Sequence, residues 1–274
     1  MTPASVGLGK GCHMKPRPSC SPSRVIAVVS VLGVMASACA SSAGVSNPSP
    51  TVSPEPPASV LAPIHGAYAP SIDPADFVTK IDNPYWPLVP GTTFTYRGVR
   101  GTTPQTDVET VTHGTKQILG VTAVVVRDTV SEHGAPIERT FDWYAQDRAG
   151  NVWYMGELSL EMRHGRFVKA SDSWQSGVDG AQPGIIVPAH PTAGEAYRQE
   201  YYPPGQALDE ATVLSLSGSI QVPYGSYDGV LVTSERSPLE PQTEQKYYAP
   251  GVGEVQEHVV QGHHEVFRLV GVTH

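Results

Sequence analysis

Cysteine is scarce in this chain, with three residues in 274. Cys12 and Cys20 precede an apolar stretch that is typical of an export signal, so both belong to a segment that is removed. Cys39 directly follows that stretch. If Cys39 is acylated, the mature chain has no free thiol, which excludes a disulfide and a thiolate metal site. Stability must then come from the core alone.

Basic residues are also few. The first 38 residues contain four basic and no acidic residues, so the remainder carries 14 basic against 26 acidic residues. An acidic surface without a basic stripe argues against binding to nucleic acid and against electrostatic docking on anionic lipid. We therefore expect no nucleic-acid partner.

Motifs that name a reaction are missing. The chain has no P-loop, no G-x-G-x-x-G turn, no G-x-S-x-G elbow and no H-E-x-x-H helix. His263 and His264 follow Gly262 in a predicted turn, where solvated histidines are more common than a metal site. The sequence predicts neither a metal nor a cofactor. The sequence does not exclude a triad of Ser, His and Asp, because the members of a triad come together only in the folded structure.

The first 38 residues have the layout of an export signal. Basic residues precede an apolar run from Val25 to Met35, which is too short to span a bilayer. Ala36-Ser37-Ala38 then leads into Cys39, which resembles the bacterial lipobox, although Ala36 stands where Leu is usual. This resemblance implies that Cys39 is acylated and anchors the protein to the outer face of the cell membrane. The alternative is ordinary cleavage that leaves a free Cys39, and either Met1 or Met14 is the start.

Residues 39–72 are dominated by Ser and Pro and show no periodicity, which predicts a disordered tether. The folded domain is predicted at residues 73–274. Asp73 followed by Pro74 has the pattern of a helix N-cap with Pro at the first position, so a short N-terminal helix is expected.

From Thr92 onward the pattern is β. The 27 glycines and 26 prolines separate short segments rich in Val, Thr and aromatic residues, and no amphipathic helical pattern lies between them. These segments predict an all-β domain of about eleven antiparallel strands, forming a curved sheet or an open barrel. One long connection, residues 170–196, contains Trp174 and the apolar run Ile185 to Val187. We expect it to fold over the sheet as a covering loop.

Three segments resemble exported bacterial β-sheet proteins, some of which have the curved sheet of lipoprotein carriers. They are PLVPGTTFTY at 87–96, IQVPYGSYDGVLVTSE at 220–235 and KYYAPGVGEVQEHV at 246–259. The resemblance spans most of residues 81–272. It implies a fold and a compartment, and it implies no activity.

The hairpin Ile137 to Met162 concentrates aromatic residues and carboxylates. A turn at Asp147 to Asn151 sets Asp142 opposite the region of Glu157. One interpretation is a carboxylate pair in a cleft, which would serve acid–base chemistry or hold a hard cation. The other is that the two side chains lie on opposite faces or pair with an arginine, the candidates being Arg139, Arg163 and Arg198.

Arg198 and Glu200 form a second polar pair. Their spacing of two residues places them on one face of a strand. An inward Arg198 could hold an anionic ligand or balance the first carboxylates, and a pair on the surface is the equal alternative.

Three functions follow as hypotheses. The first is a lipid-anchored binding protein that holds a small hydrophobic or amphipathic ligand against Trp143, Trp153, Tyr154, Trp174 and Tyr201. The second is a secreted hydrolase that uses a cleft with four polar residues, Asp142, Glu157, Arg198 and Glu200. The third is an envelope interaction protein that uses the sheet surface and has no pocket.

Overall fold

The structure, a computed structural model, describes residues 60–274. The predicted export signal, the acylation site Cys39 and most of the predicted tether lie outside the described residues. Within residues 60–274, no helix is both long enough and apolar enough to cross a membrane.

Eighteen strands and two short 3₁₀ helices make up the described chain. The helices span Pro74–Asp76 and Pro203–Gly205. The strands are β1 (Phe77–Val78), β2 (Ile81–Asn83), β3 (Trp86–Leu88), β4 (Thr93–Arg100), β5 (Thr103–Ile118), β6 (Val121–Glu132), β7 (Ala135–Asp147), β8 (Val152–Arg163), β9 (Arg166–Lys169), β10 (Trp174–Gln175), β11 (Gln182–Val187), β12 (Ala196–Arg198), β13 (Glu200–Tyr201), β14 (Glu210–Val222), β15 (Gly225–Arg236), β16 (Thr243–Ala249), β17 (Gly253–Gln261) and β18 (Glu265–Thr273).

One antiparallel sheet of sixteen strands curves until it nearly closes into a barrel. Thirteen of its strands follow the order β12-β14-β15-β16-β17-β18-β4-β5-β6-β7-β8-β11-β13; beside this path β1 pairs with β7, and β9 and β10 pair with β8. The two outer strands, β12 and β13, are separated in sequence by Gln199 alone. Ala196 to Arg198 pair with β14, and Glu200 to Tyr201 pair with β11. A single stretch of chain therefore bridges the two edges of the sheet.

Tight turns between long strands hold the register of the sheet. Leu119-Gly120 joins β5 to β6 and His133-Gly134 joins β6 to β7, and both residues of each pair have positive φ. Two-residue loops of this kind match the twist of antiparallel strands. His164-Gly165 repeats the arrangement between β8 and β9.

A separate two-stranded hairpin, β2 and β3, covers one end of the barrel. Asn83 Nδ2 donates to the carbonyls of Gly150 and Pro188, and the backbone N–H of Asn83 donates to Gln146 Oε1. On the other side, the carbonyl of Pro84 accepts a hydrogen bond from the backbone N–H of Gly251. The hairpin thus ties the turn after β7 to the turn after β16 across the barrel end.

Part of the segment that precedes Asp73 also packs on the barrel. Ala62, Ile64 and Tyr68 are buried, and the carbonyls of residues 62–64 accept hydrogen bonds from Arg198. Tyr68 Oη donates to the carbonyl of Pro183 at 2.6 Å. Sequence analysis places residues 62–68 in the tether. In the structure they contact β11 and β12, near the point where the two edges of the sheet meet.

The predicted fold class is confirmed: the described chain is all-β, and its sheet is antiparallel. The short helix forms after Asp73, whose Oδ1 accepts from the backbone N–H of Ala75. The strand count is higher than predicted for four reasons: residues 77–88 add β1 to β3, Arg166–Lys169 forms β9, the predicted strand 197–202 divides into β12 and β13, and the covering connection contributes two strands of its own. Its β10 and β11 pair with β8, since Trp174 and the run Ile185 to Val187 are buried.

Candidate functional site

A row of five aromatic side chains crosses the interior of the barrel. Trp86 on the end hairpin makes edge contacts with Tyr144 and Tyr248, with ring centroids 5.6 Å apart in both pairs. Tyr144 stacks on Tyr154 at 5.0 Å, and Tyr154 meets Trp174 edge-on at 5.4 Å. Stacked and edge-on pairs at these distances are favourable. The row connects β16, β3, β7, β8 and β10.

A bulge at Gly156 brings two side chains of β8 to the same face. Tyr154 and Glu157 are three residues apart, so a regular strand would point them in opposite directions. The pairing with β7 shifts at this point, and Gly156 has φ 132°. A Cβ on Gly156 would lie 2.5 Å from the Trp174 carbonyl oxygen, so only glycine fits. The bulge thus places Tyr154 and Glu157 together inside the barrel.

Asp142 and Glu157 share the hydroxyl of Tyr154. The two acids are opposite each other in the register, and they are 3% and 5% exposed. Tyr154 Oη lies 2.5 Å from Asp142 Oδ1 and 3.1 Å from Glu157 Oε2. Burial, followed by the two nearby acids, raises the pKa of Tyr154 well above its ordinary value, so the phenol keeps its proton. The Tyr154 hydroxyl has one proton and can donate only one hydrogen bond. Its contact with the other carboxyl group is therefore a hydrogen bond only when a carboxyl group carries a proton that it can donate.

Glu200 extends this group of acids. Trp174 Nε1 donates to Glu200 Oε2 at 2.7 Å, which links Glu200 to the aromatic row. Burial, then the negative charges of Asp209 and Glu157, raise the pKa of Glu200 well above its ordinary value. These causes favour the protonated form of Glu200, and the hydrogen bond from Trp174 opposes them.

A second group of acids surrounds Lys246. Its Nζ lies 3.6 Å from Glu235 Oε2, 3.6 Å from Glu257 Oε2 and 3.9 Å from Glu254 Oε2. Glu235 Oε1 also accepts from Tyr248 Oη at 2.8 Å. Burial lowers the pKa of Lys246, but the surrounding carboxylates outweigh burial and raise it well above its ordinary value. Lys246 is therefore a permanent cation among these acids.

These two groups belong to one larger set, which we call the acidic interior. The charges of its members interact even between strands that are not adjacent in the sheet. For example, the charge of Glu254 on β17 raises the pKa of Glu109 on β5. It comprises Glu109, Asp142, Glu157, Glu200, Asp209, Glu235, Glu244, Glu254 and Glu257.

Solvent still touches part of the acidic interior. Glu109 and Glu244 are half-buried, and burial is the first cause that raises the pKa of both. Burial likewise raises the pKa of Glu244 to about 7 and that of Glu254 to about 7, with Lys246 opposing the shift in each.

A pocket lies beside the end hairpin, where the aromatic row meets the acidic interior. Its enclosed part is the size of about one water molecule. With its open mouth it amounts to about 230 Å³ of empty space. Its walls are Trp86, Pro87, Leu88, Phe94, Tyr96, Glu109, Val252, Gly253 and Glu254.

Three of the four predicted catalytic residues converge. Asp142 and Glu157 meet at Tyr154, and Glu200 joins them through Trp174. Arg198 does not join them. Its guanidinium donates to the carbonyls of residues 63 and 64 and contacts Glu210 Oε1 at 3.5 Å. The strand changes partner between Arg198 and Glu200, so their spacing of two residues does not bring them to a common contact.

The predicted ligand-binding aromatics divide between two faces. Tyr154 and Trp174 lie inside, whereas Trp143 alternates outward between Asp142 and Tyr144 and lies under Lys116 Nζ, 3.1 Å from the ring centroid. The other two also pack away from the aromatic row. Trp153 lies against Phe77 and donates to Asp147 Oδ2, and Tyr201 lies beside Tyr68 and the guanidinium of Arg198.

Several interior residues escaped sequence analysis. Glu244, Lys246 and Tyr248 alternate along β16 and all point inward, as their contacts with Glu235 and with the aromatic row show. The period-two pattern was a usable signal for a strand. It did not indicate that the polar side of that strand is the inner one.

Within residues 60–274, no three His, Cys, Asp or Glu side chains are grouped so that they could hold a metal ion. Aromatic walls with a few convergent polar groups are typical of small-molecule sites.

No protein-family model matches the chain, and no curated protein matches it in sequence. Two solved structures are similar to it. A protein described as exported, with a YmcC-like fold, from Bacteroides fragilis is 12% identical at a TM-score of 0.38, covering 69% of this chain and 99% of its own. A protein described as a lipoprotein, from Parabacteroides distasonis, is 11% identical at a TM-score of 0.38, covering 69% and 98%. Similarity at this level assigns neither a family nor a function.

Proposed function

We propose that this protein is a lipid-anchored binding protein outside the cytoplasm, which holds a small hydrophobic or amphipathic ligand in its aromatic-lined interior. The observation that carries the proposal is the aromatic row, because it runs from Trp174 through the interior to Trp86 at an open pocket. A ligand that enters beside Trp86 meets both rings and carboxyl groups in the pocket wall. The tether and Cys39 supply the anchor in this proposal.

Ligand binding is tested with three probes of equal chain length: octylamine, 1-octanol and octanoate. The protein is the full chain carrying Cys39→Ser, so that no acyl group competes for the pocket. We expect at least one probe to bind in titration calorimetry and Trp86→Ala to weaken it at least about tenfold, since a buried aromatic ring contributes roughly 1.5–3 kcal/mol. Trp153→Ala, outside the aromatic row, is the matched control. Binding of none of the three probes overturns the proposal.

The anchor is tested by fractionation. The wild-type chain is expected in the membrane fraction and the Cys39→Ser chain in the soluble fraction, because the acyl group would be the attachment. A wild-type chain that is soluble, with Cys39 unmodified by mass spectrometry, contradicts the anchor and leaves ligand binding to its own test.

A hydrolase is the second candidate, favoured by the convergence of Asp142, Glu157 and Glu200. The low exposure of Asp142 and Glu157 opposes it, because a hydrolytic water must reach the acids. Turnover of ester and glycoside substrates that is lost in Glu157→Gln, with an unchanged melting temperature, would support this candidate.

A further inference from the structure

We propose that the pocket beside the end hairpin takes the primary ammonium group of an amphipathic amine, with Glu109 and Glu254 as its acceptors. This inference rests on the proposed function and adds the charge of the ligand to it. It starts from the carboxyl groups of the pocket wall.

Both carboxyl groups lack a hydrogen-bond donor. Among residues 60–274, no donor reaches the side-chain oxygens of Glu109 or Glu254. The nearest cation to Glu254 is Lys246, whose Nζ is 3.9 Å away, beyond hydrogen-bond distance. Glu254 is 8% exposed and lines the pocket. A ligand that supplies N–H groups would give these two carboxyl groups the donors that the described chain does not provide.

The size of the pocket selects the kind of cation. Its enclosed part admits about one group the size of a water molecule, and an –NH₃⁺ group has about that size. A primary ammonium also brings three donors, enough for two carboxyl groups. A quaternary ammonium is larger and has no N–H to donate, so it fits neither the space nor the acceptors.

The remaining walls suit the rest of such a ligand. Phe94, Tyr96 and Trp86 present rings to the pocket, and ring faces attract cations. Leu88 and Val252 add apolar surface for the methylene groups that follow the ammonium. The described residues also offer no group of three metal-binding side chains, which favours an organic cation over a metal ion.

The test compares octylamine with 1-octanol, which has the same chain and no charge, on the full chain carrying Cys39→Ser. Octylamine is expected to bind at least about tenfold more tightly than 1-octanol, since a hydrogen bond to a charged group is worth that much. Glu254→Gln and Glu109→Gln are each expected to reduce this preference at least fivefold and to leave 1-octanol binding unchanged. Glu161→Gln, which lies outside the pocket and contacts Arg163, is the matched control and should retain the preference.

The outcomes separate the two proposals. If 1-octanol or octanoate binds as tightly as octylamine, the ammonium site is overturned and the binding function stands. The ammonium site is also overturned, and the binding function stands, if both Gln variants still prefer octylamine over 1-octanol. If no probe binds, the binding function itself fails. Circular dichroism of each variant establishes that it is folded, and the two Gln variants provide independent routes if one of them does not fold.

Discussion

The acids around Tyr154 and the acids around Lys246 lie in the same interior but have different neighbours. Asp142 and Glu157 meet at a neutral phenol, which needs one of them to hold a proton for both contacts to be hydrogen bonds. Around Lys246, one ammonium faces three carboxyl groups. The first pair of acids meets a neutral group, and the second group of acids meets a cation. Removal of the central group should therefore have different consequences in the two places.

Lys246→Met should have the largest effect on stability. It leaves the surrounding acids without their cation in a buried site, and loss of one partner of a buried pair costs roughly 3–5 kcal/mol. Urea unfolding at pH 8 measures the loss. Lys80→Met is the matched control, because Lys80 pairs with Asp82 at an exposed position where roughly 0–1 kcal/mol is expected. Equal losses in both variants would show that Lys246 does not balance the acids.

The stability of the protein should fall as pH rises from about 4.5 to about 7. Glu244 and Glu254 have folded-state pKa values of about 7 against ordinary values of 4.5. In this window the folded state binds more protons than the unfolded state, so the free energy of unfolding decreases with rising pH. We expect a melting temperature higher at pH 5 than at pH 8 by roughly 5–10 °C. A melting temperature that rises across this window would exclude protonated acids inside the folded chain.

Tyr154→Phe should have a moderate effect. It removes the hydroxyl that separates Asp142 from Glu157 and leaves both acids short of a hydrogen bond, at a cost of roughly 1–3 kcal/mol. Urea unfolding measures the loss. Tyr247→Phe is the control, since that hydroxyl bonds Gln245 at a half-buried site. An equal loss in both variants would mean that the shared hydroxyl of Tyr154 contributes no more than an ordinary half-buried one.

Glu157→Gln and Asp142→Asn should have the smallest effect on stability. An amide has nearly the shape of the carboxyl group, its oxygen can accept from the Tyr154 hydroxyl, and it removes one of two facing acids, so we expect a change of less than about 1 kcal/mol in each. Thermal melts of the two variants measure this change in stability. A loss of roughly 3–5 kcal/mol in both variants would indicate a buried cation as their partner, as for Lys246.

The sequence predicted the strands better than their faces. A turn at Asp147 was enough to pair Asp142 with Glu157, and Asp73 with Pro74 was enough to predict a short helix, which is a 3₁₀ helix in the structure. Strand alternation has the same period whether polar side chains face solvent or an interior, so it could not place Glu244 and Lys246 inside the barrel. A one-residue slip such as the bulge at Gly156 leaves no periodic signal.

Contacts between distant parts of the chain were beyond sequence analysis for a different reason. The partner change between Arg198 and Glu200 depends on β11 and β14, which pair with these residues from opposite edges of the sheet. The pocket likewise joins Trp86, Glu109 and Glu254 from three distant segments. Local sequence patterns do not indicate such long-range contacts.

The pairing of β4 with β18 has a consequence for how the chain folds. Thr93 lies opposite Thr273 and Arg100 lies opposite Glu265, so the first long strand finds one of its two neighbours only at the far end of the sequence. Loop closure over such a separation is entropically unfavourable and slow. During synthesis, β4 therefore remains with a free edge while most of the other strands are already available. Assembly of the barrel should be a late, all-or-none event, and a chain that lacks β18 should present an open edge prone to association.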